Sequence, residues 1–297
     1  MLNSFLSIEK VKKTSLGFGL IPLFSAFLFS SLLIEACTAK SDDSHVKKTN
    51  NKELVILSAN DPLLRLKTKK GVIKIRLYKR VAPKTVEKLT TLINSKKNGK
   101  GLYDQLDIIY TLPHIEIRTA IPKELKALKI PKELNANALG LDKKIIKTSG
   151  EAMDIWQGKL LKHFRKHKKD GKVSPQLKKW LSRWNKQMNA DFLMGVSIKE
   201  INEAMNYHYT DSVVSIPVSK GTVLLKSSSP MKSSPSLVIA LSDIPIRTGK
   251  WVVIGQVTDG LEIAEKISVL PNSGMQKPRY VPVNPVTIEK TEVVNMK

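Results

Sequence analysis

Alternation of apolar and polar residues in two stretches fixes the class of fold open to this chain. In 63–77, Leu64, Leu66 and Thr68 alternate with Arg65 and Lys67, Lys70-Gly71 supplies a turn, and Val72, Ile73, Ile75 and Leu77 resume the pattern. In 114–118, His114-Ile115-Glu116-Ile117-Arg118 has the same period of two. Successive side chains of a strand point to opposite faces, so this spacing belongs to half-buried strands rather than helices. The first stretch predicts a hairpin. The second predicts, after a Tyr103-Asp104 turn, two short strands at 108–112 and 115–117 joined through Pro113-His114.

The N-terminus belongs to a different environment. Lys10, Lys12 and Lys13 precede an uncharged apolar run at 16–34, which ends in Ile34-Glu35-Ala36-Cys37. A basic start, an apolar stretch and a small residue before the break mark an export signal over 1–36. The sole cysteine, Cys37, closes that run, so the chain forms no intrachain disulfide. Ile34-Glu35-Ala36-Cys37 resembles a bacterial lipobox, although Glu35 departs from its usual small or uncharged residue. That resemblance implies cleavage before Cys37 and a diacylglycerol on its thiol. An ordinary cleaved signal and an uncleaved anchor remain open, since the run approaches the ~20 residues that span a bilayer. Each reading puts the rest of the chain outside the cytoplasm. The polar stretch that follows has little to bury and reads as a tether, with 37–60 as lipidated cysteine plus tether.

Beyond the hairpin, Pro83 suits the first turn of a helix, where a missing N–H costs nothing, and Val86, Leu89, Thr90 and Ile93 share one face. Helical periods return over 121–215. Met153, Trp156, Leu160, Leu161 and Phe164 recur at helix spacing, and Asp170-Gly171 stops that run. Ser174-Pro175 starts a second helix with Leu177, Trp180, Leu181, Trp184 and Met188 as its apolar stripe. Ser197-Ile198-Lys199-Glu200 is a capping box before a short third helix. Helical spacing makes the tryptophans core of this segment rather than a binding platform. His163 and His167 have the spacing of a metal pair on a helix, but no carboxylate follows in a ligating pattern and the neighbours are basic, so no metal is expected. His45, alone in the tether, is a solvated loop residue.

The formal net charge is +24, with the lysines spread over hairpin, helices and loops. Nucleic-acid binding needs a concentrated patch with a reading element, so no nucleic-acid partner is expected. Two readings of the charge stay open: a basic surface that contacts anionic lipid head groups beside a membrane, and one that is merely solvated.

The order strand, Lys-Gly turn, strand, Ala82-Pro83-Lys84-Thr85-Val86 helix, Gly101-Leu102-Tyr103-Asp104, then paired strands resembles the start of cyclophilin-type peptidyl-prolyl isomerases. Gly249-Lys250-Trp251-Val252-Val253-Ile254-Gly255-Gln256-Val257 and the helix after Gly260 are similar to that family's C-terminal half. The resemblance implies a mostly-β fold, a closed antiparallel β-barrel capped by two helices, formed by 61–120 and 216–297. A helical insertion at 121–215 lies outside the family pattern. In the C-terminal part, 227–235 reads as a Ser/Pro-rich loop, 237–241 as a strand and 282–294 as a final strand pair.

Carried over by position, the resemblance puts the family's catalytic arginine at Tyr110, and the phenylalanine and glutamine that follow it at Ile115 and Arg118. The facing glutamine and phenylalanine become Ser236 and Val238, the tryptophan and leucine beyond become Ile246 and Arg247, and the histidine becomes Trp251. These eight positions form the expected peptide groove, with Arg118 and Arg247 as candidate substitutes for the missing cation. The expected function is a lipid-anchored envelope protein, at the periplasm or cell surface, that contacts extended or proline-containing segments of exported polypeptides. Isomerase activity is expected to be weak or lost, and no cofactor is implied. A working isomerase and a structural envelope protein without peptide ligand are the alternatives.

Overall fold

The predicted hairpin forms with β1 (Leu63–Thr68) antiparallel to β2 (Gly71–Leu77), Leu64 opposite Ile75 and Leu66 opposite Ile73. All four side chains are buried, each contributing roughly 1.5–3 kcal/mol of hydrophobic stabilisation. This is a computed structural model, and it describes residues 58, 60–95, 99–125 and 128–294. The export signal, Cys37 and the tether lie outside the described residues.

Seven further strands complete one sheet: β3 (Leu106–Leu112), β4 (Glu116–Thr119), β5 (Ile130–Pro131), β6 (Thr222–Ser227), β7 (Lys232–Ala240), β8 (Val253–Asp259) and β9 (Val286–Val294). Their order is β4-β3-β9-β1-β2-β8-β6-β7-β5, and β4 also pairs with β7. That last pairing closes eight strands into a barrel, every ladder antiparallel, with β5 added outside the ring. Closure removes the exposed edges that an open sheet leaves. Gly255 on β8 faces Leu77, and a Cβ there would lie 2.2 Å from the Arg76 carbonyl, so only glycine lets the two backbones approach this closely.

Two helices pack on the barrel core, α1 (Pro83–Asn94) through Val86, Leu89 and Ile93, and the later α6 (Leu261–Ser268) through Ala264 and Ile267. This is the closed, helix-capped barrel that the sequence resemblance implies. Tyr103 explains one of its motif residues: the ring is fully buried and its hydroxyl donates to the Pro235 carbonyl at 2.7 Å. Burial pushes that phenol well above its usual range, so it stays a donor. Asp104 accepts from the Gly101 and Thr291 N–H groups at 2.7 and 2.6 Å, tying the turn before β3 to β9.

The segment between β5 and β6 carries α2 (Ser149–Ile155), a π turn (Trp156–Leu160), α3 (Leu161–His167), α4 (Pro175–Gln187) and α5 (Ile198–Ala204). Thr148, Ser174 and Ser197 cap α2, α4 and α5, and the Ser197–Glu200 capping box is complete. The helices share a core with Trp156 fully buried, stacked on Trp184 at 5.3 Å and meeting Phe192 edge-on at 5.4 Å. Trp180 is buried in the same core, so the tryptophans pack there as their spacing predicts. Met188 does not: it ends α4 in the left-handed conformation and is exposed.

Three expectations for the C-terminal part change. The Ser/Pro-rich stretch is not all loop, because β7 begins at Lys232 and runs through Pro235. Pro235 falls where the β6–β7 register shifts, a place that needs no ladder N–H from it. The predicted strand at 237–241 is the second half of β7. The predicted pair at 282–294 is the single strand β9, with Pro282 making only an isolated bridge to Asn272.

One contact joins the segment between β5 and β6 to the barrel's helix. Ala82 precedes α1 and has no side chain that can accept a capping hydrogen bond. Glu133 does so from 49 residues away, accepting from Lys84 N at 3.0 Å and from the buried Thr85 N at 2.8 Å. Helix N-termini carry orphan N–H groups and partial positive charge, both of which a carboxylate satisfies. Glu133→Ala is expected to destabilise the fold by about 1–2 kcal/mol, read as a lower urea midpoint; an unchanged midpoint would show the cap to be without weight.

Candidate functional site

The site is built on the outer face of the barrel. Inward residues of β6–β8 (Val223, Leu225, Leu237, Ile239, Ile254) belong to the barrel core, while outward Leu224, Val238, Ala240 and Val253 form a separate apolar layer. Ile115 and Trp251 pack partly buried against that layer. Three of the expected groove positions, Ile115, Val238 and Trp251, therefore share one apolar cluster.

β4 brings the charged groups to the same face. Ile117 points into the barrel core, and its neighbours Glu116 and Arg118 point outward beside β7, opposite Ala240 and Val238. Glu116 has 0% side-chain exposure, and its carboxylate is paired with the guanidinium groups of both Arg118 and Arg247, which are 18% and 14% exposed. Arg118 Nε donates to Glu116 Oε1 at 2.8 Å. Arg247 comes from the 3-10 turn Pro245–Arg247. A buried carboxylate without counter-charge is strongly disfavoured, so this pairing is a condition of burying Glu116 at all.

The aromatic groups complete the arrangement. The Arg118 guanidinium lies 3.9 Å from the centre of the Tyr110 ring and 5.6 Å from that of Trp251, and Arg247 lies 4.2 Å from the Trp251 ring. Tyr110 meets Tyr280 edge-on at 5.6 Å. Burial pushes the Arg118 guanidinium down from its usual value, and that of Arg247 down to about 10, with Tyr110 opposing the shift in both. At about 10, the Arg247 guanidinium remains charged at neutral pH.

The sequence-predicted positions thus divide. Tyr110, Arg118, Arg247 and Trp251 converge within direct contact. Ile115 and Val238 lie in the apolar layer beneath, but Val238 is fully buried and offers no surface to a ligand. Ser236 is also buried: its hydroxyl donates to the Thr119 carbonyl at 2.6 Å, locking β7 to β4. Ile246 is 71% exposed. Sequence reasoning missed Glu116 and Tyr280. The signal for Glu116 was present, since Glu116 and Arg118 sit two apart on one strand and so share a face; nothing local pointed to Tyr280.

The helical segment buttresses the loop that carries Trp251. Tyr209 donates to the Gly249 carbonyl at 2.9 Å and itself accepts from Asn202 at 2.9 Å. Lys132 Nζ donates to the Lys250 carbonyl at 2.5 Å and to Ser227 Oγ at 2.7 Å, and lies 4.9 Å from the Tyr207 ring centre. Elsewhere, the His163 and His167 rings stand 4.6 Å apart, and burial with His167 and Lys166 alongside pushes His163 down. No group of three or more potential metal ligands gathers among the described residues. Two open depressions, one beside Arg80 and Asp211 and one beside Leu270 and Asn284, do not touch the Tyr110 cluster.

No family model matches this chain, and no curated protein does. Solved structures do. One is a cyclophilin-type peptidyl-prolyl cis-trans isomerase of Cryptosporidium parvum in the presence of the dipeptide Ala-Pro, 12% identical, covering 78% of this chain and 99% of that one with a TM-score of 0.43. A second structure of the C. parvum protein gives 12% identity, 79% and 98% coverage and the same TM-score. A cyclophilin from Hirschia baltica is 13% identical, covering 80% of this chain and 74% of its own at a TM-score of 0.43. Likeness this distant transfers no site residue and no activity. The cyclophilin-like character of the fold rests on its own topology: the closed antiparallel barrel, the two helices packed on it, and the motif residues Ala82-Pro83, Tyr103-Asp104 and Gly255 in the roles described above.

Glu116→Gln keeps the side chain's shape and removes the charge that both arginines share. Breaking a buried pair of this kind is expected to cost about 3 kcal/mol, measured as a fall in unfolding free energy in urea. A loss below about 0.5 kcal/mol would mean the arginines find solvent as easily as they find Glu116.

Proposed function

We propose that this chain is a cyclophilin-like protein of the bacterial envelope that holds extended or proline-containing segments of exported polypeptides at the Tyr110–Trp251 face, with weak or absent isomerase activity. The observation that supports this most directly is the pairing of both arginines with Glu116. An isomerase must lower a barrier of ~20 kcal/mol by stabilising a twisted prolyl amide. The family's arginine does so as a charged donor, and the resemblance puts Tyr110 at that position. A phenol donates one hydrogen bond without a charge. Losing a preorganised electrostatic donor costs ~3–4 kcal/mol, or two to three orders of magnitude in rate. Arg118 and Arg247 stand close enough to substitute, yet their charge is already engaged by a carboxylate. The aromatic faces of Tyr110, Tyr280 and Trp251 and the partly exposed Ile115 keep apolar surface suited to a proline ring.

A protease-coupled proline-isomerisation assay tests the catalytic half of this reading. The expected rate lies within about twofold of the uncatalysed one, while extended proline-containing peptides bind saturably and Trp251→Ala weakens them. A rate far above background that falls in both Arg118→Ala and Arg247→Ala overturns it in favour of a working isomerase. No peptide binding at all overturns it in favour of a structural role.

The anchor is proposed to be a lipid on Cys37, supported by the basic start, the apolar run and the polar tether in the sequence. Cys37→Ser is expected to abolish metabolic labelling by palmitate and to release the protein from the membrane fraction. Retention in the membrane without label would point instead to an uncleaved apolar anchor.

A further inference from the structure

Beside the Tyr110–Trp251 face lies a cluster of cations whose lysines, among the described residues, form no salt bridge with any carboxylate. Among the described residues, Glu116 is the carboxylate that ion pairs place beside this face, and it is fully buried and already shared by two arginines. Lys226 feels the charge of Arg118, Lys132 that of Lys250, and Lys250 that of Lys159. Among the described residues none of these four lysines forms a salt bridge, although Lys67, Lys74, Lys220 and Lys290 on the barrel all do. The cluster is continuous with the aromatic site. Lys250 precedes Trp251 in sequence, Lys132 Nζ is hydrogen-bonded to the Lys250 carbonyl and to Ser227 Oγ next to Lys226, and Lys226 lies exposed on β6, across β7 from Arg118, which covers Tyr110. Lys132 and Lys250 are half-buried, while Lys226 and Lys159 are exposed.

We infer that the face selects acidic peptide segments, with Asp or Glu side chains of the bound chain meeting Lys226, Lys250 and Lys132 while an apolar or prolyl residue lies on Trp251 and Tyr110. The inference rests on the peptide-binding reading above and adds its charge specificity. The physical argument is one of balance. Lys132 Nζ sits between the Lys250 carbonyl and Ser227 Oγ, the residue after Lys226, so the three lysines are gathered in one place; burial first and a neighbouring like charge second push each of them down, Lys132 to about 7. An anionic ligand relieves that repulsion, whereas a neutral one does not. The occupant fitted to this face is an extended peptide, whose successive side chains can reach the partly buried rings of Tyr110 and Trp251 and the flanking cations together.

The test measures fluorescence anisotropy of labelled peptides with the full chain in detergent. Three peptides of equal length carry a central Ala-Pro flanked by Gln, by Glu or by Lys. The Glu peptide is expected to bind about tenfold tighter than the Gln peptide at low salt, the gap closing as salt screens it. Lys226→Gln and Lys250→Gln should each narrow the gap severalfold, and the Lys peptide should bind weakest. Equal binding of the Glu and Gln peptides overturns the charge selectivity and leaves the peptide-binding reading standing. Binding of none of the three overturns both. If instead phosphatidylglycerol vesicles bind, in a manner lost in the two lysine variants, while the peptides show no preference, the cluster is a membrane contact and the inference falls.

Discussion

A carboxylate cut off from water has to be met by opposite charge, and Glu116 imposes that condition on the whole outer face of the barrel. Its position is set by strand geometry: once Ile117 enters the core, Glu116 and Arg118 must face outward where β4 closes against β7. Arg118 can answer half of the demand from the same strand. The other half comes from Arg247, on a turn far along the chain, and bringing that turn in also brings Trp251, whose backbone N–H donates to the Arg247 carbonyl. The aromatic cluster is therefore organised around an ion pair that no ligand has to form. Such a face is charged, but its two arginines are already engaged with a buried carboxylate before any ligand arrives.

The second support is the helical segment. Its two ends are pinned together at its base, where Thr210 N donates to the Leu134 carbonyl and the Asn135 side-chain amide to the Val213 carbonyl. From there Tyr209 and Lys132 reach the backbone of Gly249 and Lys250. The loop that presents Trp251 is thus held on one side by the Glu116 network and on the other by the helices. A loop held by fixed hydrogen-bond partners can present a binding residue without paying ordering entropy when a ligand arrives.

Much of this was legible in the sequence where a rule acts locally. The alternation of Leu64, Leu66, Ile73 and Ile75 needed only the period of a strand, and Ser174-Pro175 and Ser197–Glu200 announce helix starts through side chains that bond within three residues. What stayed hidden depends on distant partners. Pro235 reads as loop until a register shift in β7 accommodates it. Ser236 and Val238 occupy positions that suggest a groove wall, but the backbone carbonyl of Thr119 and the outer apolar layer claim them first. Arg247 gives no local sign that its partner is Glu116. Only the Glu116/Arg118 spacing was there to be read, and it calls for the knowledge that this outward face is covered.

The cap that Glu133 places on α1 ties together two stretches far apart in the chain. The segment between β5 and β6 is not cargo hung on a finished barrel, because it carries the acceptor for a helix that precedes it in the chain. Ala82, where a replacement acceptor would have to appear, is itself fully buried, so a polar side chain there would need room the packing does not offer. The two stretches are therefore coupled: loss of Glu133 leaves the Lys84 and Thr85 N–H groups without that acceptor, so a change in one stretch is felt at the start of a helix in the other.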